Sequence, residues 1–239
     1  MSYNRRGLIE LRGEDSRKFL QGQVSCDIDG LSVGDIIRGC HCTPKGRVIF
    51  MFSARMQTEQ CILLETHPTI VQTAIASLSK YAVFFKTEIS DISDQDLRVE
   101  PEITDCERLK SGVPDITIET TELFIPQMLN LDTLGYISFQ KGCYTGQEVV
   151  ARAHYLGAVK RKMYQLSLST SSVPTAGSVV VDDNSHQIGN VVNAEATSKN
   201  SVEALVVLSS KALQCEYLII DGKPMTFSQL PSTCPSEQQ

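Results

Sequence analysis

One octapeptide concentrates the residue types that carry chemistry. A thiol and a phenol lie between two glycines, and an amide and a carboxylate follow, in Lys141-Gly142-Cys143-Tyr144-Thr145-Gly146-Gln147-Glu148. Glycine permits close backbone approach and positive φ, which exposes the side chains beside it. A helix that begins near Thr145 would place Cys143 at its positive N-terminal end, with Lys141 nearby, and these conditions favour the thiolate. The string predicts an activated cysteine; the alternative is a buried cysteine in a tight turn.

A local excess of positive charge surrounds this octapeptide, although the chain has a formal net charge of −6. Between residues 141 and 162 one acid, Glu148, accompanies the bases Lys141, Arg152, Lys160, Arg161 and Lys162. The acidic total argues against a protein that mainly coats nucleic acid. We expect the basic segment either to hold a discrete anionic ligand or to form a solvated turn before a strand.

The cysteine pattern argues against a resident metal. Eight cysteines are scattered along the chain without a C-x-x-C pair, and this spacing fits neither a zinc site nor a ferredoxin-type cluster. Cys40-His41-Cys42 is expected to point both thiols to one face of a strand, with a metal bound there as the less favoured alternative. The first residues lack a signal-peptide apolar region, and no apolar run approaches the roughly 18 residues of a membrane span. The sequence predicts a cytoplasmic protein with reduced cysteines and no membrane partner.

The elements that must position these residues form a mixed set in the first part of the chain. Strands are predicted at residues 8–11, 36–42, 47–54, 61–65 and 81–89. Helices are predicted after Ser16, after Pro68 and at residues 103–111. The Thr43-Pro44-Lys45-Gly46 segment suits a type I turn and predicts a hairpin.

After Gly157 the pattern changes to short β runs separated by turns. These runs cover residues 162–168, 178–181, 188–192, 202–208 and 217–220. Regular short strands with turn signals between them predict a small all-β barrel. The predicted organisation is therefore a body over residues 1–157 and a β-barrel domain over residues 158–239.

The octapeptide and its extension, KGCYTGQEVVARAHYLGAVKRK, closely resemble the signature of the YgfZ family, folate-binding relatives of the glycine-cleavage T-protein (aminomethyltransferase). Other agreeing stretches are LRGEDSRKFLQGQVSCDI, HCTPKGRVI, KYAVFFKTEIS, RLKSGVPDI and FIPQMLNLDTLGYISFQ. The resemblance implies an α+β fold with a T-protein-like folate-binding body and a C-terminal barrel. Its middle domain is expected to be abbreviated between Ile89 and Glu107.

The resemblance also implies a function. Family members support assembly or repair of 4Fe–4S proteins, including tRNA-modifying enzymes, and the signature cysteine, here Cys143, is the functional thiol. Lys141 is grouped with it, and the supporting motif residues are Gly142, Tyr144, Thr145, Gly146, Gln147 and Glu148. Cluster ligation and thiol exchange both remain open for Cys143. The expected partners are iron–sulfur client proteins or assembly factors and folate, without direct nucleic-acid contact.

Two enzymatic alternatives stand beside this accessory role. One is a tetrahydrofolate-dependent aminomethyl or one-carbon transferase of the T-protein type, although T-proteins lack the cysteine-centred signature. The other is a cysteine nucleophile with His154 as its base. An accessory factor without turnover is the preferred interpretation.

The expected cofactor is tetrahydrofolate, with a weakened pterin site. The chain has no tryptophan, and Lys110 stands where relatives carry a glutamate, so it offers no acceptor for the pterin N–H donors. Stacking would have to come from tyrosine or phenylalanine, with Tyr144 as a candidate. The anionic tail of folate is matched by Lys141, Arg152, Lys160 and Arg161. The sequence predicts weak binding, mainly through this tail.

Overall fold

A computed structural model describes residues 6–157 and 159–229, which form two compact units. The first unit comprises the chain up to Glu102 together with Ile116–Pro126 and Gly135–Tyr155. The second comprises Ile103–Asp115, Gln127–Leu134 and the chain from Leu156 onward. The two units therefore interleave along the chain.

The first unit is built on a five-stranded antiparallel sheet of order β2-β3-β4-β1-β5. Its strands are β1 (Gly7–Arg12), β2 (Ile36–Cys42), β3 (Val48–Thr58), β4 (Cys61–Thr66) and β5 (Glu88–Asp91). Helices α1 (Ser16–Gln21) and α2 (Val71–Ala82) pack on the sheet. Phe19 of α1 and Leu78 of α2 join Phe50 of β3 in one buried apolar core.

Helix α2 follows the predicted pattern at its start. A 3₁₀ turn over Pro68–Ile70 precedes it, and the side chain of His67 accepts a hydrogen bond from the Thr69 amide. Val71, Ala74 and Leu78 are buried at helical spacing. Proline is tolerated here because the first amides of a helix have no partner within the helix.

The strand predicted over residues 81–89 is wrong for residues 81–87. Helix α2 continues to Ala82, and the strand β5 begins only at Glu88. Between them Val83 and Phe84 are 76% and 92% exposed, whereas the ring of Phe85 lies 5.3 Å from that of Phe19. The aromatic and branched residues that indicated a strand therefore form a turn in which only Phe85 packs inward.

The second unit contains a closed barrel of order β10-β11-β6-β9-β8-β7. Its strands are β6 (Arg161–Leu168), β7 (Val179–Val181), β8 (Gln187–Ser198), β9 (Ser201–Ser209), β10 (Tyr217–Ile220) and β11 (Lys223–Gln229). The predicted barrel is thus confirmed. Strand β11 was missed because its KPMTFSQ sequence has a proline and few branched residues. Asp221 and Gly222 both have positive φ at the turn before it, as a tight hairpin turn requires.

Two further helices complete the chain. Helix α3 (Asp105–Lys110) begins with a capping box between Thr104 and Glu107, and Gly112 follows it with a φ of 69°. Helix α4 spans Gln147–Leu156. Residues 92–104 form neither helix nor strand. Within the described residues, no helix combines the length and apolar character that a membrane crossing requires.

The turn between α2 and β5 gives a direct test of this architecture. Phe85→Ala should lower the free energy of unfolding by about 2 to 3 kcal/mol, because a half-buried ring leaves the core. Phe84→Ala is the matched control and should change it by less than about 0.5 kcal/mol. Urea denaturation of both variants measures the difference. Equal losses would show that Phe84 packs as closely as Phe85 and would contradict this turn.

Candidate functional site

The signature octapeptide forms a loop that leads into α4. The helix begins at Gln147, two residues after the predicted start at Thr145. The Tyr144 amide donates to Oε1 of Gln147 over 3.2 Å, and the Gln147 amide donates to the Tyr144 carbonyl over 3.1 Å. These reciprocal hydrogen bonds fix the loop against the first turn of the helix.

Lys141 is a buried cation at the start of this loop. Its side chain is 8% exposed, and its Nζ donates to the carbonyl oxygens of Gln21, Val24 and Cys26 over 2.8, 2.7 and 2.6 Å. Burial lowers the pKa of Lys141. An ammonium has three N–H donors, and these carbonyls use all of them. The structure thus corrects two expectations: Lys141 keeps no donor for the Cys143 thiolate or for a folate carboxylate.

The side chain of Tyr144 points from the loop into the interior of the first unit. It is 8% exposed, and the Lys141 ammonium lies 5.3 Å from its ring centroid. Burial raises the pKa of Tyr144, and the nearby thiols of Cys40, Cys42 and Cys26 raise it further. Tyr144 therefore serves as a neutral packing element between the buried lysine and a group of core cysteines.

A contact between two glycines joins the loop to the β2–β3 hairpin. Gly146 has a φ of 86°, and a Cβ there would lie 2.6 Å from the Thr43 carbonyl oxygen. Gly46 has a φ of 70°, and a Cβ there would lie 2.7 Å from the Val149 Cβ. The Gly46 amide donates to the Thr43 carbonyl over 2.8 Å, which confirms the predicted turn. Both positions require glycine for conformation and for space.

Cys143 has a different environment from its neighbours. It is exposed, whereas Cys26, Cys40, Cys42 and Cys61 are buried and Cys106 and Cys215 are half-buried. The Thr145 hydroxyl donates to Oε1 of Gln23 over 3.1 Å, so anchored residues stand on both sides of the thiol. Cys234 lies outside the described residues. Among the described cysteines, Cys143 is the most exposed to solvent, and it lies on a loop that is held in place.

The charged residues predicted around the thiol lie in both units. Glu148 and Arg152 are exposed on α4. Lys160 is exposed in the second unit, where Arg161 donates to the Gln187 carbonyl over 3.3 Å.

His154 has a structural partner. Its ring stacks on Phe139, with centroids 3.8 Å apart and an interplanar angle of 19°. Within the described part of the chain, no hydrogen bond joins His154 to Cys143, so the arrangement does not favour a cysteine–histidine nucleophile.

Two acceptors in the second unit were missed by sequence analysis. Oε1 of Gln165 and Oε2 of Glu203 are buried without a hydrogen-bond partner among the described residues. Gln165 lies on β6 and donates through Nε2 to the Lys110 carbonyl over 3.5 Å. Glu203 lies on β9 opposite Ser167 of β6, on the same outward face as Gln165. No local motif marks this pair, because strand pairing alone brings the two residues together.

The buried lysine gives a stability prediction. Lys141→Met should lower the free energy of unfolding by about 3 to 5 kcal/mol, because three buried carbonyls lose their common donor. Lys160→Met, at an exposed lysine, is the matched control and should stay within about 0.5 kcal/mol of the parent. Chemical denaturation followed by far-UV circular dichroism measures both. A parent-like Lys141→Met protein would contradict the assigned hydrogen bonds.

Two bacterial proteins are similar to this chain over most of its length. No family model matches the chain. The tRNA-modifying protein YgfZ of Aliivibrio fischeri is 30% identical over 261 residues, covering 84% of this chain and 82% of that protein. YgfZ of Photobacterium profundum is also 30% identical, covering 84% of this chain and 80% of its own.

A solved structure shares the fold. The glycine cleavage system aminomethyltransferase T of Bartonella henselae matches with a TM-score of 0.67 and 13% sequence identity. The match covers 97% of this chain and 84% of that one. With its signature loop, its closed C-terminal barrel and these relatives, this chain belongs to the YgfZ family and has the fold of the glycine-cleavage T-protein.

Proposed function

We propose that this chain is a folate-linked accessory protein for iron–sulfur proteins, including tRNA-modifying enzymes, and that it acts through the thiol of Cys143. The observation that carries the proposal is the presentation of this thiol. Cys143 is exposed, while Lys141, Tyr144 and Thr145 on either side are anchored to the first unit. The name of the bacterial relatives supports the link to tRNA modification.

The chemistry available to Cys143 requires a partner protein. A thiolate is both a nucleophile toward disulfides and a ligand for iron. Within the described residues, no group of three or more His, Cys, Asp or Glu side chains is arranged to hold a metal ion. We infer that a cluster bound at Cys143 takes its other ligands from the client protein.

The second unit has acceptors that suit a pterin. The buried oxygens of Gln165 and Glu203 have no donor within the described residues, and a pterin presents ring N–H and amino donors. An acceptor carboxylate at Glu203 would do what Lys110 cannot do at the glutamate position of relatives. We assign the pterin donors to Gln165 and Glu203. Bound tetrahydrofolate would supply a reduced pterin able to carry one-carbon units.

The folate tail is assigned to a smaller set of bases than the sequence indicated. Lys141 is excluded because three carbonyls hold its ammonium. Arg152 and Lys160 are exposed, and arginine can hold a carboxylate through two parallel hydrogen bonds. Lys160 and Arg161, which lie in the same unit as Gln165 and Glu203, remain the proposed contacts of the tail.

The thiol is tested by reactivity and by complementation. Cys143 should be alkylated faster than any other described cysteine, because the others are buried or half-buried. In a null strain, Cys143→Ala should fail to restore 4Fe–4S enzyme activities, while the half-buried control Cys106→Ala restores them. Peptide mass mapping and client enzyme assays provide the measurements. Full rescue by Cys143→Ala would overturn the proposed role.

A glycine-cleavage assay separates the transferase alternative. The purified protein is expected to give no tetrahydrofolate-dependent aminomethyl transfer. Turnover that survives Cys143→Ala would assign the chain to the transferase class of its structural neighbour.

Tetrahydrofolate binding provides a test of the two subsites. Glu203→Ala should weaken binding of the monoglutamate about 5- to 150-fold, which corresponds to the roughly 1 to 3 kcal/mol of one buried hydrogen-bond partner. Lys160→Ala should weaken the polyglutamate more than the monoglutamate, and added salt should reduce this difference. Lys199→Ala, at an exposed barrel lysine, is the control. Calorimetric titration that leaves Glu203→Ala at parent affinity would reject the pterin assignment.

A further inference from the structure

A pair of thiols lies beneath the signature loop and takes no part in the proposed function. Cys40 and Cys42 point to the same face of β2, and their sulfur atoms are 3.9 Å apart. This arrangement confirms the face predicted from the spacing of two residues. Both residues are 1% exposed. The protein therefore holds two sulfurs side by side in a nearly dry environment.

The surroundings of the pair fix its position. The Ser25 hydroxyl lies 3.3 Å from the Cys40 sulfur, accepts the Cys40 amide over 2.9 Å and donates to the Tyr136 carbonyl over 2.7 Å. The backbone and thiol of Cys40 are thus held by one serine. Such support orients a ligand atom before anything binds to it.

A cavity borders one member of this pair. It has a volume of about 430 Å³ and is lined by Cys42, His41, Thr43, Ile49 and Ser77, among others. Space for water-sized solutes therefore extends to Cys42. Cys42 is therefore the member of the pair that borders this space.

His41 cannot complete a larger coordination sphere. Its Nδ1 lies 2.7 Å from the Gln23 carbonyl, to which it donates. Its Nε2 lies 3.0 Å from the Ser77 hydroxyl, which donates to it. Both ring nitrogens are engaged, and the described residues hold no group of three metal-ligating side chains. This donor set excludes tetrahedral zinc, which requires four ligands.

We propose that Cys40 and Cys42 form a two-sulfur binding site for a soft monovalent metal ion of the Cu(I) type. Soft thiolate ligands favour Cu(I) over harder ions. Two metal–thiolate bonds of about 2.3 Å each span the present gap when the angle at the metal is bent. Separation of the sulfurs by a further ~0.7 Å would make the arrangement linear.

Binding of the metal ion to the two thiols requires no oxidant or reductant. The two S–H bonds break, two sulfur–metal bonds form, and two protons pass to solvent. The metal keeps its oxidation state, so no oxidant or reductant is consumed. The dithiolate–metal group carries one negative charge. Because protons are released, affinity should fall as the pH decreases.

Competition with a Cu(I) chelator under anaerobic conditions tests the site in the full chain. One equivalent of Cu(I) should transfer to the protein, and Cys40→Ser or Cys42→Ser should weaken this transfer at least about a hundredfold. Cys143→Ser and the buried control Cys61→Ser should retain it. Zn²⁺ should not compete. The proposal would be overturned if the Cys40→Ser/Cys42→Ser double variant still took up Cu(I), or if Cys61→Ser weakened Cu(I) uptake as much as the single variants do.

A footprint on the unsubstituted protein covers the case in which a variant misfolds. Protein loaded with Cu(I) is denatured in the presence of a fast alkylating reagent, and the labelled peptides are mapped. Cys40 and Cys42 should be protected together, with Cys26 labelled as in the metal-free protein. Protection of Cys143 alone would place the ion at the exposed thiol, and equal protection of Cys26 would reject a two-sulfur site.

Discussion

The arrangement of the first unit depends on the buried ammonium of Lys141. A buried charge costs several kcal/mol unless hydrogen bonds replace its hydration, and three carbonyls provide that replacement. One of them belongs to Gln21, the last residue of α1, where helix carbonyls lack partners within the helix. The other two lie in the segment that follows. The Lys141 ammonium therefore caps the last turn of α1 and also fixes the segment that follows this helix.

The segment that follows α1 also positions the β2–β3 hairpin beneath the signature loop. The Ser25 amide donates to the Cys40 carbonyl over 3.0 Å, and Val24 forms a bridge with His41. On the far side, Gly46 and Gly146 bring the hairpin turn and the start of α4 into direct contact. Lys141 and this glycine contact secure the loop at two points, and Cys143 lies between them.

Much of this arrangement was predictable from local patterns. The hairpin turn, the proline-led helix and the barrel follow from Pro44, Pro68 and the regular turn residues after Gly157. The strand over residues 81–89 failed because composition cannot show that Val83 and Phe84 face solvent while Phe85 packs inward. The signature identified the loop, but the direction of each side chain depends on contacts with residues more than a hundred positions away.

Lys141 shows this limit most clearly. It lies two residues from Cys143 in sequence, and this proximity indicated an activated thiolate. In the structure its ammonium serves carbonyls 115 to 120 positions earlier in the chain. A cation close in sequence does not necessarily act on its neighbour, because a buried side chain must first satisfy its own donors. The proposed role of Cys143 therefore rests on its exposure on a fixed loop, while the lysine contributes by holding that loop in place.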